Sequence, residues 1–474
     1  MSGFRRHIIA KLAQQEYIEG YCVVGTTSYS FSPTITGGSY DTITVYPDAN
    51  GYWRWNVPKN YPISGMLSCF THISQEESDK LVSIKFHWDL TKGGNMSTTY
   101  LFGSNYSTTS VYQNKCTNLK KVEGLQFKTS NISYMFYGCT SLEEVHITNI
   151  IQTTSAFSAQ QTFSNCTNLK HIYGLENTTF TNMNAYYTFH YCESLEELNL
   201  GKWDMVRVQR FAAYCYKLKY VNRGGSTINV ASDEYINYMF GYCYELEDID
   251  GLLSSANCSI SCSYINGIFM QCYKLKSADL SGVTIQSNST FNSMFYQCRN
   301  LEDVVMPDFS ALDGVSLSLT GIFRECFSVK LNANTCPDFS NIIANRADYV
   351  FSTGSTPNLR NWEAETGKTA FINMTHISIP TIPNGTNVSG FCYWARNATD
   401  VVGCGDISES MTFESNPFNL ASAILILQHL QDVTSYGGKT ITFSKITSAL
   451  IQADTTAMNL VAQAQANGWT ITFN

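Results

Sequence analysis

Nine thiols recur at near-even spacing through the middle of the chain: Cys116, Cys139, Cys166, Cys192, Cys215, Cys243, Cys272, Cys298 and Cys326, 23 to 29 residues apart. Thiols can pair as disulfides, hold zinc or act as nucleophiles, and each use has its own spacing. Nine at one repeat position cannot all pair with each other, and the chain has no Cys-x-x-Cys. Cys258, Cys262, Cys392 and Cys404 lie off the series with no partner at ligand spacing. The pattern therefore predicts small buried side chains, with no metal, cofactor or disulfide.

Other reactive types are present without a catalytic arrangement. The acidic pairs Glu143-Glu144 and Glu196-Glu197 are of the kind glycosidases use, and His146 and His171 fall in neighbouring repeats. Asp250 and Asp279 fall at equivalent repeat positions, where two carboxylates repel unless a cation or ligand lies between them. The chain has no glycine-rich phosphate loop, His-Glu-x-x-His or Gly-x-Ser-x-Gly, and no enzymatic activity is expected.

The elements that must position these residues follow from the same period. Most coils read Phe-x-x-Cys-x-x-Leu, as in Phe136, Cys139 and Leu142 or Phe163, Cys166 and Leu169. Apolar residues return six and often eight positions after the cysteine, for example Val145 with Ile147 and Leu198 with Leu200. That interval is strand alternation, so the intervening residue faces solvent. The outward row includes Glu123, His146, Tyr173, Asn199, Asn222, Asp250, Asp279 and Val305. The residues expected to bind a ligand are His146, Tyr173, Asn199, Tyr220, Asn222, Asp250 and Asp279. Upstream, each Phe is expected on a short helical or 3-10 turn that plugs the core.

One position after the repeated Leu, the charges read Lys120, Glu143, Lys170, Glu196, Lys219, Glu247, Lys276, Glu302 and Lys330. They alternate in sign through nine successive coils. With equivalent residues stacked about 4.8 Å apart, each Lys is expected between two Glu, and a slip of one coil would oppose like charges. The ladder is read as a register device.

The totals agree with a stacked repeat. The chain has 474 residues, is 44% hydrophobic and only 14% charged, and carries a net charge of −8, which disfavours nucleic acid. The N-terminus makes a poor signal peptide, and the apolar run Leu420 to Leu427 is too short to span a bilayer, so no membrane insertion is expected. Residues 1–20, with Ile8, Ile9, Leu12 and Ala13 on one helical face, read as an attachment peptide. Residues 21–64 read as a small β-module with turns at Gly37-Gly38 and Pro47 to Gly51, and with Trp53 and Trp55 on one face, for packing or for carbohydrate stacking. Residues 65–410 form the repeat region, with Cys69, Phe70, Leu81, Ile84 and Phe86 in a first coil. Residues 411–474 form an α/β capping or oligomerisation module: a helix near Pro417 to Leu430, a strand Thr440 to Phe443, a helix from Asp454 to Asn467 and a strand Trp469 to Phe473.

The motif Phe-x-x-Cys-x-x-Leu-x-x-Val-x-Ile at this period resembles the BspA-type leucine-rich repeat. The resemblance implies a solenoid with one short parallel strand per coil, and adhesion or ligand binding rather than catalysis. The opening Met-Ser-Gly-Phe-Arg-Arg is similar to that of repeat-bearing virion proteins from phages and prophages of Bacteroides-like gut bacteria. That likeness implies a tail or head fibre made in the host cytoplasm. Its N-terminus would dock to other virion proteins, and its repeat face would meet a bacterial surface glycan or protein. Two other roles stay open: an architectural virion spacer without a ligand, and an exported bacterial surface adhesin. Fibres are often homotrimers, although no heptad run or collagen-like segment here supports one.

Overall fold

The computed structural model describes residues 16–31, 34–35, 42–57, 63–65, 74–87, 98–103, 115–231, 234–310, 312–352 and 356–474. Residues 1–15 of the attachment peptide, the Gly37-Gly38 turn and Cys69-Phe70 lie outside these. The chain divides into two compact units, Met1–Thr227 and Ile228–Asn474.

In the first unit the strand Tyr17–Cys22 runs antiparallel to both Tyr52–Asn56 and Leu81–His87. The boundary expected at residue 20 therefore falls inside a strand. Trp53 is buried against Tyr29 and Phe31, and Trp55 packs edge-on to Phe31, so the two indoles serve the module's core. Leu81–His87 also pairs in parallel with Lys121–Thr129, which continues into Glu144–Gln152 and His171–Tyr173. One six-stranded sheet thus joins the N-terminal module to the first coils, across the boundary expected at residue 65.

The expectation of one strand per coil is corrected. A second parallel row follows the first, formed in this unit by Phe157–Ser158, Thr179–Asn184 and Lys202–Arg207. The second unit has a parallel row of its own, through Cys258–Asn266, Val283–Asn292, Val315–Ser318 and Ile342–Arg346. Its cause is a second alternation further along each coil, with Phe180 and Met183, Trp203 and Met205, or Ile260 and Cys262 turned inward.

The Phe–Cys segment is neither an α- nor a 3-10 helix but a run of successive turns. In one coil the N–H groups of Ile132, Tyr134, Phe136 and Gly138 donate to the carbonyls of Ser158, Gln160, Thr162 and Ser164 in the next. Ala159, Gln161, Phe163 and Asn165 repeat the pattern onto Asn184, Tyr186, Thr188 and His190, as do Leu319, Gly321, Phe323 and Glu325 in the second unit. Every alternate N–H thus points toward the following coil. Two residues per coil make this possible by taking the left-handed region, such as Tyr134 with Gly138, Gln161 with Asn165, and Tyr187 with Tyr191. A non-glycine residue there costs about 1–2 kcal/mol, and an intercoil hydrogen bond returns about 1. A lone coil carries the strain uncompensated, which couples each coil's folding to its neighbour's.

Phe rings stack along the core: Phe102, Phe136, Phe163 and Phe189 at centroid spacings of 5.3, 5.2 and 5.5 Å in the first unit. Phe240, Phe269, Phe295, Phe323 and Phe351 do the same in the second. Most of the repeat cysteines add a cross-coil tie. The thiol of Cys166 donates to the carbonyl of Phe136, Cys192 to Phe163 and Cys215 to Phe189, all at 3.1 Å. Cys298 and Cys326 repeat this at 2.9 Å. All cysteines among the described residues are free, and burial pushes the Cys139 thiol up to about 12, which leaves it unreactive at neutral pH.

The C-terminal segment pairs Met411–Phe413, Lys439–Phe443 and Trp469–Phe473 in parallel. Helices Leu420–Gln428, Lys445–Ala453 and Thr455–Ala466 lie between these strands in sequence, with Asn419, Ser444 and Asp454 as their N-caps. Lys445–Ala453 and the strand Met411–Phe413 are additions to the expected elements. Phe413, Phe443 and Phe473 recur at equal spacing at the end of each strand. This segment is therefore itself a strand-and-helix repeat.

Candidate functional site

On the first strand row of the first unit, side chains five and seven positions after each cysteine form two outward columns. Parallel register sets His171 beside Glu144 and Tyr173 beside His146. It likewise sets Tyr220 beside Glu197 and Asn222 beside Asn199. The His146 and Tyr173 rings lie 4.5 Å apart, and His171 sits 5.7 Å from the same tyrosine. The two histidines thus flank one ring. Tyr173 is 46% exposed and Tyr220 44%. The Asn222 amide donates to the Asn199 side-chain oxygen.

Between these two pairs the sheet opens. His171–Tyr173 ends the six-stranded sheet, and Glu197–Asn199 begins a separate two-stranded one. Just after Tyr173 the chain leaves the strand. Gly174 takes φ 90°, where a Cβ would lie 1.9 Å from the Ile147 carbonyl oxygen, so only glycine fits. Leu175–Asn177 then make a 3-10 turn, braced by the Glu176 carboxylate accepting the Gly174 N–H at 2.9 Å.

Two clefts flank this turn. The first, about 290 Å³, is lined by His171, Ile172, Tyr173, Glu176, Glu197 and Asn199. The second, about 420 Å³, is lined by Asn149, Ile150, Ile151, Gln152, Thr154, Asn177, Thr179 and Thr181. The side-chain pair Asn177–Glu176, joined at 3.3 Å, stands between them. Gln152 braces the second cleft by accepting the Thr181 N–H at 2.7 Å and donating to its carbonyl at 3.0 Å. Neither lining contains a Lys or Arg. Beside the first cleft, burial raises the Glu144 pKa but Lys121 and His146 outweigh it, and the carboxyl sits below its ordinary value.

The remaining expected residues lie apart. Asp250 is exposed in a turn with φ 52°, not on a strand, so the outward row is interrupted at that coil. Its backbone N–H is held by the Asp248 side chain. Asp279 ends the strand Ser277–Asp279 and accepts the Ser281 N–H at 2.9 Å. The neighbour of that strand is Asp303–Val305, and no group of three or more metal-ligating side chains occurs among the described residues.

The charge ladder is stacked by backbone bonds. Glu143 N–H donates to the Lys120 carbonyl, Lys170 to Glu143, Lys219 to Glu196, Glu302 to Lys276 and Lys330 to Glu302. The side chains pair in one direction, Lys to the Glu of the preceding coil: Lys170–Glu143 at 2.9 Å, Lys276–Glu247 at 2.7 Å and Lys330–Glu302 at 3.0 Å. A Lys held evenly between two Glu is therefore corrected to discrete pairs, because one ammonium close to one carboxylate is already satisfied. Glu196 and Lys219 make no side-chain ion pair among the described residues. Lys330 holds the Glu302 carboxyl below its ordinary value. Reversing Glu196, Glu247 and Glu302 to Lys together is expected to lower the melting temperature at low salt, with the deficit shrinking at about 1 M salt. An unchanged melting temperature at low salt would remove the ladder from the account of register.

A family model, the BspA type leucine rich repeat region, matches in six copies over residues 105–218, 133–263 and 227–329. This stretch of the chain carries BspA-type repeats. They supply both strands that border the first cleft; Gly174 has positive-φ counterparts in Gly124 and Gly251, also eight residues after a cysteine, and what differs in this coil is the 3-10 turn that follows it. No curated protein matches the chain. Among the cleft residues, Tyr173 and Asn199 stand out in the sequence as outward positions of BspA-type coils. Glu176, Asn149, Asn177 and Thr179 do not, since they lie outside the counted positions. The glycine directly after Tyr173 does not mark them either, because Gly124 and Gly251 hold the same position in other coils.

Proposed function

We propose that this is a non-enzymatic recognition protein whose repeat face binds a ligand on a bacterial surface, and that it is carried on a virion as a fibre-like component. BspA-like repeats are common in surface adhesion proteins, which supports the adhesive half of the reading. The observation that carries it is the opening of the sheet beside Tyr173, which turns a regular ladder into a lined recess at an exposed aromatic. The virion half rests on the opening residues Met1 to Arg6, and the N-terminal segment is assigned to docking on other virion proteins. No helix among the described residues is long and apolar enough to cross a membrane.

The test replaces Tyr173 and Asn199 by Ala and measures adsorption of the carrying particle to its bacterium. A fall of about tenfold or more is expected, in line with the loss of a central aromatic contact. Unchanged adsorption would leave only the role of a spacer. Antibody labelling decides the carrier: antigen on sedimented particles fits the virion reading, and antigen confined to the cell envelope replaces it with a surface adhesin.

A further inference from the structure

We infer that the two clefts on either side of Glu176 and Asn177 form one binding track for a short, uncharged oligosaccharide. One sugar ring lies against Tyr173, and the next sugars run past Asn177 to Asn149 and Thr179. The inference rests on the recognition reading above and names the ligand class for it.

Three features of the linings carry it. The first is charge. Glu176 and Glu197 line the first cleft with no Lys or Arg among its residues, so a sugar acid, phosphate or sulfate there would meet two carboxylates; at the second cleft Lys128 and Lys202 stand only at the edge, as strand neighbours of Ile151 and Thr179, outside the lining. Carboxylates instead accept hydrogen bonds from sugar hydroxyls.

The second is unused hydrogen-bonding capacity. Among the described residues, the side chains of Tyr173, Glu197, Asn149 and Thr179 make no hydrogen bond within the chain, and Asn199 keeps its amide donors free while its oxygen accepts from Asn222. They present an aromatic ring, a carboxylate, two amides and a hydroxyl across the two linings. Few placed polar groups around an aromatic are what orient a small ligand in a recess.

The third is size and apolar content. Volumes of about 290 and 420 Å³ lie at the small end of ligand sites, which suits single rings held in succession. Ile150 and Ile172 are buried, so beside the Tyr173 ring the exposed large apolar side chain of the linings is Ile151, at 37%. A protein partner would need a broader desolvated apolar centre than one tyrosine ring and one isoleucine provide.

Calorimetric titration of the full chain tests the proposal, with mannotetraose, cellotetraose and galactotetraose as neutral probes, the matching monosaccharides, and tetragalacturonate as the acidic probe. At least one neutral tetrasaccharide is expected to bind, about tenfold or more tighter than its monosaccharide, with tetragalacturonate weaker than either. Tyr173→Ala is expected to weaken the tetrasaccharide about tenfold. Asn149→Ala combined with Thr179→Ala is expected to reduce it to the affinity of the monosaccharide. Tyr173→Phe, which keeps the ring, retains most binding, and melting curves matching wild type show that the variants fold.

Binding of tetragalacturonate as tight as that of the neutral probes, or affinity indifferent to chain length, overturns the inference. Treated cells separate it from the recognition reading. Adsorption that depends on Tyr173 and is abolished by periodate but not by proteinase supports the sugar track. Adsorption that depends on Tyr173 and is abolished only by proteinase keeps the recognition reading and discards the sugar. Adsorption indifferent to Tyr173 discards both.

Discussion

Replacing Phe163 by Ala is expected to destabilise the first unit by about 3–5 kcal/mol, the range for removing a buried aromatic ring. Phe163 is 3% exposed and touches a ring on each side, Phe136 at 5.2 Å and Phe189 at 5.5 Å. Its carbonyl also accepts the Cys192 thiol, and its N–H donates to Thr188 of the next coil. The cavity therefore opens between two coils rather than inside one. Stacked repeats communicate through nearest neighbours, so protection against amide exchange should fall most at Phe136 to Cys139 and Phe189 to Cys192. Urea denaturation gives the magnitude. A loss below about 1 kcal/mol would mean that the ring column is not what holds the coils together.

His190 is expected to make the protein acid-sensitive in a window that carboxylates alone do not explain. It is 7% exposed, hemmed by the rings of Tyr187, Tyr191 and Tyr214, and its Nε2 has no hydrogen-bond partner. Burial, with the Arg210 charge adding to it, pushes its pKa down from 6.5 to about 3. The folded state thus keeps the ring neutral where the unfolded chain takes up a proton. Its contribution is fully present above pH 6.5 and is lost progressively as pH falls toward 3. The loss is about 1.4 kcal/mol per pH unit across that window. His190→Phe removes the titration while filling the same space among the tyrosines. The stability of wild type minus that of the variant should therefore fall steadily from pH 6.5 to 4. A constant difference over that range would show that His190 is protonated in the folded state.

Much of the repeat was legible because burial recurs at fixed positions. The Phe, Cys and Leu of each coil occupy the same core sites, and the strand after them shows in the alternation of residues such as Leu198, Asn199 and Leu200. The second strand row was hidden because the loops before it vary in length, so its inward residues fall out of step with the cysteines. The left-handed positions were hidden for a chemical reason. Gly138, Gly267 and Gly321 occupy them in some coils, but Asn165, Tyr191, Gln271 and Glu325 occupy them in others. Intercoil hydrogen bonds make up for the strain, so no glycine signature is required. Of the candidate site, Tyr173 and Asn199 were visible as outward residues. The break between them was not, because a 3-10 turn of three residues leaves no period. At the C-terminus, Phe413, Phe443 and Phe473 recur too few times, and with helices between them, to announce a repeat of a second kind.

The Lys and Glu ladder gives this chain a parity. Copying one coil within the gene would preserve the thiol-to-carbonyl tie and the stacked Phe ring, which recur in most coils. It would also place two Lys or two Glu in succession, and the copy would break the alternation that lets Lys170, Lys276 and Lys330 each pair with the Glu of the coil before. Copying two coils restores both signs. A repeat region built this way lengthens or shortens most smoothly by even numbers, so its hereditary unit is a pair of coils although its structural unit is one.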